Sequence, residues 1–265
     1  KTLYPSTFKP KNIYKNTFVD ILKKNFEVFG FNPLETPALE MYETLASKYA
    51  GGAEILKETY TLEDNAQRKL GLRYDLTVPF ARVIAMNPQL KMPFKRYQID
   101  KVWRDGPIKL GRYREFWQCD VDIVGASSMI ADAEIIALAA KVFANLNFKV
   151  KILYNNRKLL NLLLTAADIN KSDQETVILS LDKLEKFGWE GVTKELQEKK
   201  IAKSQIGRLQ ELFEDASLEK LEKEIKDKEG IEEIKKLQKY LQLFNVENAE
   251  LSISLARGLS YYTGT

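Results

Sequence analysis

Two arginines mark the ends of a short loop, and a strand with one polar face follows. The loop begins at Arg104 and ends at Arg112. A strand is predicted over residues 113–124, and its period of two places alternate side chains, counted from Arg112, on the same face. The side chains of that face are Arg112, Arg114, Phe116, Gln118, Asp120 and Asp122. Because the planar fork of arginine suits phosphate, this arrangement indicates a floor for a charged ligand.

The neighbouring strand, predicted over residues 95–103, repeats the pattern. The side chains on its polar face are Arg96, Gln98, Asp100 and Arg104. Two adjacent polar faces beside an arginine loop favour a binding surface. The alternative is the solvent-facing side of an ordinary antiparallel sheet, with the opposite, apolar parity packed in the core.

Asp75 and Thr77 form a second candidate group. They stand two residues apart at the end of a predicted strand, so their side chains would project together. A carboxylate beside a hydroxyl suits an ammonium group. The same pair would equally serve as an N-cap cluster, with Thr77 capping the helix that follows.

The third group lies near the end of the sequence, where Arg257 and Gly258 precede Tyr261 and Tyr262. The glycine permits close backbone approach or a positive φ angle. Tyr261 fits a core position, whereas Tyr262 fits either the core or a ligand contact.

Residue types that are absent narrow the chemistry. The chain has no histidine and one cysteine, Cys119, which excludes histidine bases, cysteine–histidine nucleophiles, disulfides within the chain and an ordinary structural zinc site. Neither a P-loop nor a Rossmann glycine pattern occurs. Reactions driven by positioning and charge stabilisation, such as phosphoryl and nucleotidyl transfer, remain favoured.

Composition predicts a soluble globular protein. The 265 residues are 45% hydrophobic and 29% charged, and no apolar run is long enough to span a membrane. The single cysteine favours a reducing compartment, so we expect a cytoplasmic protein. The net charge is +4, but residues 166–230 carry 12 basic and 16 acidic side chains, so the basic excess lies elsewhere.

Hydrophobic periodicity predicts the elements that would position these groups. A helix is expected over residues 11–30, ended by Gly30, and then an extended segment over 34–40 that contains Pro37. Strands are expected at 58–62, 69–74, 149–154 and 250–255. Further helices are expected from Thr77 and over 131–146, 156–164 and 231–243. Residues 166–230 show only short helical periods and are interpreted as a helical insertion.

Four stretches of the chain, in the right order, resemble the histidyl-tRNA synthetases, a branch of the class II aminoacyl-tRNA synthetases. They are residues 35–40, 72–82, 104–125 and 255–264. The stretch 72–82 resembles the archaeal and eukaryotic form. The resemblance implies an α+β fold, with an antiparallel sheet flanked by helices and a helical insertion.

The resemblance also implies roles for the candidate residues in binding L-histidine. Asp75 and Thr77 would hold the α-ammonium group, and Gln118 would hold the carboxylate region. Asp122 and Tyr262 would read the imidazole ring.

The family's ATP site would fall on a second set of residues. Arg104 would contact the α-phosphate, Arg112 the outer phosphates, and Phe116 would stack on adenine. Arg257 would stabilise charge on the α-phosphate and lie near the histidine, where other class II enzymes use a metal. No metal site formed by the protein is implied, and Mg²⁺ would enter bound to the ATP phosphates.

The implied reaction is ATP-dependent formation of histidyl-adenylate, followed by transfer to tRNA(His). Residues 11–40 would form a homodimer interface. Residues 1–165 and 231–265 would form the catalytic domain, with 166–230 as an insertion near the tRNA acceptor stem. The most suitable tRNA contacts there are Lys199, Lys200, Lys203 and Arg208.

Some features depart from the family pattern. Ser260 replaces an aspartate, and Gly106 stands where many relatives are acidic. The family's motif 3 and anticodon-binding domain are not seen, so we expect a C-terminally truncated catalytic fragment that binds histidine better than it makes the adenylate.

Two other functions belong to different classes of protein. One is the regulatory subunit of ATP phosphoribosyltransferase, a paralogue that binds histidine without aminoacylating. The other is a pseudo-synthetase domain of a signalling protein. The presence of Arg104, Arg112 and Arg257 favours the enzyme over both.

Overall fold

The computed structural model describes residues 9–47, 56–108, 110–214, 218–224, 228–256 and 263–265. The chain divides into two compact units, Lys1–Ser127 and Ser128–Thr265. Each unit has its own helices and strands.

The described elements of the first unit combine three helices with six strands. In chain order they are α1 (Lys9–Val28), β1 (Asn32–Pro33), β2 (Leu39–Met41), α2 (Tyr42–Ser47), β3 (Thr61–Glu63), β4 (Lys69–Leu72), α3 (Thr77–Met86), β5 (Phe94–Trp103) and β6 (Glu115–Val124). The strands form two sheets, in the orders β1-β5-β6 and β2-β4-β3.

Helix α1 confirms the amphipathic period predicted for this region. Leu22 and Phe26 are buried, whereas Tyr14 and Phe18 near the other end of the helix are 76% and 43% exposed. Gly30 ends the helix with φ of 78°, and its amide donates to the carbonyl of Glu27 at 2.9 Å. That left-handed conformation suits glycine because it has no Cβ.

Strands β5 and β6 form the long antiparallel hairpin that the sequence predicted. β5 lies between β6 and the short parallel strand β1, so it is paired along both of its edges. Arg96 and Gln98 on the polar face are fully buried, as is Tyr97 on the other. The predicted core face of β6 is wrong in part, because Trp117 is 46% exposed and Cys119 is exposed.

Two boundaries in this unit differ from the sequence predictions. Of the extended segment 34–40, only Leu39 and Glu40 belong to a strand, β2, because β1 ends at Pro33 and Pro37 lies outside both ladders. Strand β4 ends at Leu72, so Asp75 and Thr77 are not at a strand end, as the alternation argument assumed. Thr77 is the first residue of α3 rather than its cap.

The described elements of the second unit are mostly helical. They are α4 (Met129–Asn145), β7 (Ile152–Tyr154), α5 (Arg157–Ala166), α6 (Lys171–Leu181), α7 (Leu184–Glu198), α8 (Lys203–Glu214), α9 (Leu218–Glu224), α10 (Glu229–Leu243) and β8 (Ala249–Leu251). β7 and β8 pair in parallel.

Helices α6 to α9 agree with the helical content predicted for residues 166–230. Their buried side chains belong to the same apolar cluster as Leu159 of α5 and Ile234 of α10. The assignment of 166–230 as a separate domain, with boundaries at 165 and 231, stays a prediction. Within the described residues, no helix is both long and apolar enough to cross a bilayer.

Candidate functional site

The register of the β5–β6 hairpin brings the predicted polar residues face to face. Asp100 pairs with Gln118, and Arg96 pairs with Asp122. Side chains of directly opposed residues project to the same face. One face of the hairpin therefore carries the amide, carboxylates and arginines that the sequence placed there by parity.

Arg104 lies just after β5 and packs between two aromatic rings. Its guanidinium carbon is 4.3 Å from the ring centroid of Tyr74 and 4.9 Å from that of Phe116. Its Nε donates to the carbonyl of Tyr74 at 3.3 Å, and its Nη2 donates to Oε1 of Gln118 at 3.5 Å. These contacts hold a cation beside the amide and the ring of the predicted substrate sites.

Gln118 links Arg104 to a carboxylate further along β6. Its Nε2 donates to both oxygens of Asp120 at 3.0 Å. Burial raises the pKa of the Asp120 carboxyl, while Gln118 and Arg96 act in the opposite direction. Asp120 therefore orients the amide, a role that the sequence analysis did not assign.

Asp75 occupies the turn between β4 and α3. Its Oδ1 accepts hydrogen bonds from the amides of Thr77 at 3.1 Å and Val78 at 3.0 Å. This carboxylate therefore satisfies two of the amides that a helix N-terminus leaves without intrahelical partners. The capping interpretation is correct for this group, but the capping residue is Asp75 and not Thr77, whose side chain is exposed.

Arg96 connects the carboxylate of Asp122 to the turn that carries Asp75. Its Nη2 lies 2.5 Å from Oδ2 of Asp122 and donates to the carbonyl of Leu76 at 3.2 Å. Leu76 directly follows Asp75. Burial lowers the pKa of Arg96, and Asp122, Asp120 and Asp75 oppose that shift. The negative charges of these three carboxylates thus favour the charged form of this buried arginine.

The loop after Arg104 ends at Arg112, whose side chain is half exposed. Its Nη2 lies 2.9 Å and 3.1 Å from the two carboxylate oxygens of Glu58. Tyr74 donates its hydroxyl to Glu58 at 3.2 Å, and a Cβ at Gly106 would lie 2.8 Å from the same carboxylate. Glu58 therefore holds the far end of the loop in this structure.

Arg257 and Tyr262 lie outside the described residues. The others form one connected group within the first unit, except that Arg112 contacts Glu58 rather than the hairpin face. Among the described residues, no three His, Cys, Asp or Glu side chains are grouped to hold a metal ion.

Sequence reasoning missed three contributors to this group, namely Glu58, Arg96 and Asp120. Arg96 and Asp120 stood on the predicted polar faces but received no role. Part of the signal for Arg96 was available, because alternation places it on the same face of the hairpin as Asp122, but the pairing itself depends on the register. Glu58 gave no such signal, because it is 54 residues from Arg112 in the chain.

Comparisons with known proteins identify the family. A family model described as histidyl-tRNA synthetase matches residues 5–265. Histidine--tRNA ligase 1 of Bacillus cereus (strain ATCC 10987 / NRS 248) is 47% identical over 271 residues, which is 96% of this chain and 60% of that protein.

Solved structures give the same class of fold. The histidyl-tRNA synthetase from Nostoc sp. PCC 7120 superposes with a TM-score of 0.86 at 29% identity, over 100% of this chain and 63% of that one. A protein from Bacillus halodurans C, described as an ATP phosphoribosyltransferase regulatory subunit/histidyl-tRNA synthetase, gives 0.84 at 24% identity, over 98% and 69%. That likeness concerns the fold alone.

The fold is therefore the α+β fold of the class II aminoacyl-tRNA synthetases, built around an arginine-bearing antiparallel hairpin. Within that class, the chain belongs to the histidyl-tRNA synthetase family. It spans about 60% of the length of the Bacillus cereus relative.

Proposed function

We propose that this chain carries the histidine-activating site of a histidine–tRNA ligase. The substrate carboxylate would attack the α-phosphorus of ATP, forming histidyl-adenylate and releasing pyrophosphate. A terminal ribose hydroxyl of tRNA(His) would then attack the carbonyl carbon, forming the ester and releasing AMP. Neither step needs a protein nucleophile, which suits a chain without histidine.

The observation that carries the proposal is the connected polar face of the hairpin. Arg104 contacts Gln118, and Arg96 contacts both Asp122 and the carbonyl that follows Asp75. A zwitterionic amino acid needs a carboxylate for its ammonium group and a donor for its carboxylate. Asp75 and Gln118 are proposed for these two tasks, with Thr77 beside Asp75. Asp122 and Tyr262 are proposed to bind the imidazole ring.

ATP is proposed to bind through Arg104, Arg112 and Phe116. Arg104 would neutralise the α-phosphate together with Arg257, and Arg112 would leave Glu58 for the outer phosphates. Adenine stacking on the Phe116 face that Arg104 now covers would require the guanidinium to move. Mg²⁺ is proposed to be held through the ATP phosphates, where it would neutralise negative charge.

The test is histidine-dependent exchange of labelled pyrophosphate into ATP. Removing one positioned arginine from a phosphoryl-transfer site costs about 10³-fold or more in rate, so Arg104→Ala should abolish measurable exchange. Lys91→Ala, on an exposed residue that has no assigned role, serves as the matched control. Exchange weaker than histidine binding is the result expected of this chain, whereas absence of histidine binding in a folded sample would contradict the proposed site and favour the regulatory paralogue or a pseudo-synthetase.

Homodimerisation through residues 11–40 is part of the same proposal. Support comes from the exposed apolar side chains of α1 and β6, with Ile13 58%, Tyr14 76% and Trp117 46% exposed. A monomer rarely leaves such side chains grouped in solvent without use. Tyr14→Glu should shift sedimentation toward the monomer, whereas Lys23→Glu, about 180° around the same helix, should not.

Contact with tRNA is proposed for the helices of residues 166–230. Their net charge of −4 disfavours general affinity for a polyanion, so contact would be local. Lys199, Lys200, Lys203 and Arg208 are the proposed contacts, and two of them would first have to leave carboxylates, Lys199 from Glu195 at 2.7 Å and Arg208 from Glu211 at 3.2 Å. Reversing those four charges should lower aminoacylation of tRNA(His), and unchanged aminoacylation would indicate a structural role. The site of action would be the cytoplasm.

A further inference from the structure

Two buried arginines of the first unit differ in how their donors are used. Arg73 is 1% exposed, and each of its three side-chain nitrogens has a partner. Nε donates to the carbonyl of Lys101 at 2.9 Å, Nη1 donates to that of Thr36 at 2.6 Å, and Nη2 lies 2.7 Å from Asp100. A buried cation satisfied in this way is a structural tie.

Arg96 is fully buried, but a single nitrogen, Nη2, makes both its hydrogen bond and its ion pair. Nη2 contacts Asp122 and the carbonyl of Leu76, whereas Nε and Nη1 have no hydrogen-bond partner among the described residues. Its guanidinium carbon lies 4.3 Å from the ring centroid of Phe80. Donors left unmatched in the interior are costly, so stability of the fold is a poor explanation for this residue.

Arg96 contacts the strand and the turn that carry two residues of the proposed amino-acid pocket. Asp122 stands directly opposite it in the hairpin, and Leu76 lies between Asp75 and the first residue of α3. The carboxylate of Asp75 is in turn fixed by the amides of Thr77 and Val78. One side chain therefore joins the strand that carries Asp122 to the turn that carries Asp75.

We propose that Arg96 is a positioning residue that fixes Asp122 and the Asp75 turn in the geometry that selects a histidine side chain. It acts through these groups and does not contact the reacting atoms. The proposal rests on the proposed histidine site. A carboxylate held by a buried cation accepts a ring N–H from one direction, and this disfavours an amino acid whose ring has no such donor.

The test compares binding of L-histidine with binding of β-(2-thienyl)alanine, whose five-membered ring has no N–H group, by calorimetry on the whole chain. For Arg96→Met we expect the Kd for histidine to rise about tenfold or more, since a charge-assisted contact is lost. The preference for histidine over the thienyl analogue should fall by a similar factor. The Kd for ATP should change less than about threefold, because that site is served by other residues.

Three further variants separate positioning from general support of the fold. On an Asp122→Asn background, Arg96→Met should weaken histidine binding by a smaller factor than in the unaltered chain, because the contribution through Asp122 is already lost and only the support of the Asp75 turn remains. Arg96→Lys keeps a charge without the fork and should recover part of the preference. Arg73→Met should lower thermal stability and leave the preference unchanged.

The outcomes distinguish failure of the proposed function from failure of this inference. If the unaltered chain does not bind histidine, the proposed function fails and this inference fails with it. If the unaltered chain prefers histidine and Arg96→Met keeps that preference, the inference alone is overturned. Should Arg96→Met not fold, the comparison is made with Arg96→Lys, where an unchanged preference overturns the inference and a reduced preference supports it.

Discussion

At the scale of single residues, Asp75 has one observed interaction and one proposed interaction. Its Oδ1 accepts from two amides at the start of α3, a purely local task. The proposed binding of an ammonium group requires its negative charge as well. Because asparagine caps a helix about as well as aspartate does, the two tasks can be separated by substitution.

We expect Asp75→Asn to weaken histidine binding while the fold stays intact. Loss of a charge-assisted contact costs about 1.5–3 kcal/mol, equivalent to roughly 10- to 150-fold in Kd. Asp75→Ala should lower the free energy of unfolding as well, by about 0.5–2 kcal/mol, because the cap is lost. Calorimetry and thermal denaturation on both variants would measure the two effects. Equal histidine affinity in Asp75→Asn and the unaltered chain would remove Asp75 from the site.

At the scale of elements, the loop between β5 and β6 is held at its far end by Glu58. Arg112 contacts this carboxylate with a side chain that is 50% exposed. Partly exposed ion pairs contribute little, typically below about 1 kcal/mol, so a polyphosphate competes with Glu58 at small cost. Glu58 would then oppose nucleotide binding without preventing it.

Glu58→Gln should therefore tighten ATP binding by up to about fivefold, the factor equivalent to a weak surface ion pair. Arg112→Ala should weaken it, because a contact to the outer phosphates is lost. Titration of each variant with ATP at fixed ionic strength measures the change, and histidine affinity is the internal control. Weaker ATP binding in Glu58→Gln would show that Glu58 helps to hold the nucleotide.

A second element-scale feature joins helices α6 and α7. Glu195 accepts hydrogen bonds from Lys183 at 2.8 Å and Lys199 at 2.7 Å, and from the hydroxyl of Ser180 at 3.1 Å. The lysine contacts lower the pKa of Glu195 to about 2, from its ordinary value of 4.5. The folded state thus favours the ionised carboxylate.

The pKa of Glu195 is lower in the folded state than in the unfolded state. Its contribution to the free energy of unfolding is therefore fully present above pH 4.5 and declines as pH falls toward about 2. Glu195→Gln should lower the free energy of unfolding at pH 7 by up to about 1 kcal/mol, since the pair is partly exposed. The difference from the unaltered chain should shrink between pH 4.5 and pH 3, as urea titrations would reveal. A difference independent of pH would assign the loss to packing instead of charge.

At the scale of the whole molecule, the chain consists of two units, and the described part of the proposed site lies in the first. Asp75, Arg104, Gln118 and Asp122 all precede Ser127. The apolar core of α4 to α10 belongs to the second unit. Ligand binding suppresses the local openings of the segments that the ligand contacts.

Hydrogen exchange measured with and without histidine should therefore distinguish the units. At about 100 times Kd a ligand adds about 2.7 kcal/mol to the form that binds it, so exchange of contacted segments slows by up to about 100-fold. We expect this slowing in peptides covering residues 72–80 and 94–124. Peptides covering 171–212 provide the comparison and should change little. Protection confined to the latter range would place the amino-acid site elsewhere.

The amino-acid sequence alone predicted much of the secondary structure, because the interactions that determine helices, their ends and strand faces are local. The helical spacing of apolar residues such as Leu22 and Phe26 predicted α1. Gly30 predicted its end, because a residue without a Cβ adopts the left-handed conformation without steric cost. Alternation predicted that Gln118 and Asp122 share a face of β6. The stretches carrying Arg104 and Arg257 indicated the family, which the comparisons confirm.

Tertiary structure decided which faces are buried and which charges meet. Alternation cannot tell which side of a hairpin is covered, so Trp117 was expected in the core and is half exposed, while Arg96 is fully buried. The contact between Glu58 and Arg112 joins residues 54 positions apart, and that of Arg96 with Asp122 depends on hairpin register. Such pairings arise from chain packing over long sequence separations, on which local propensity carries no information.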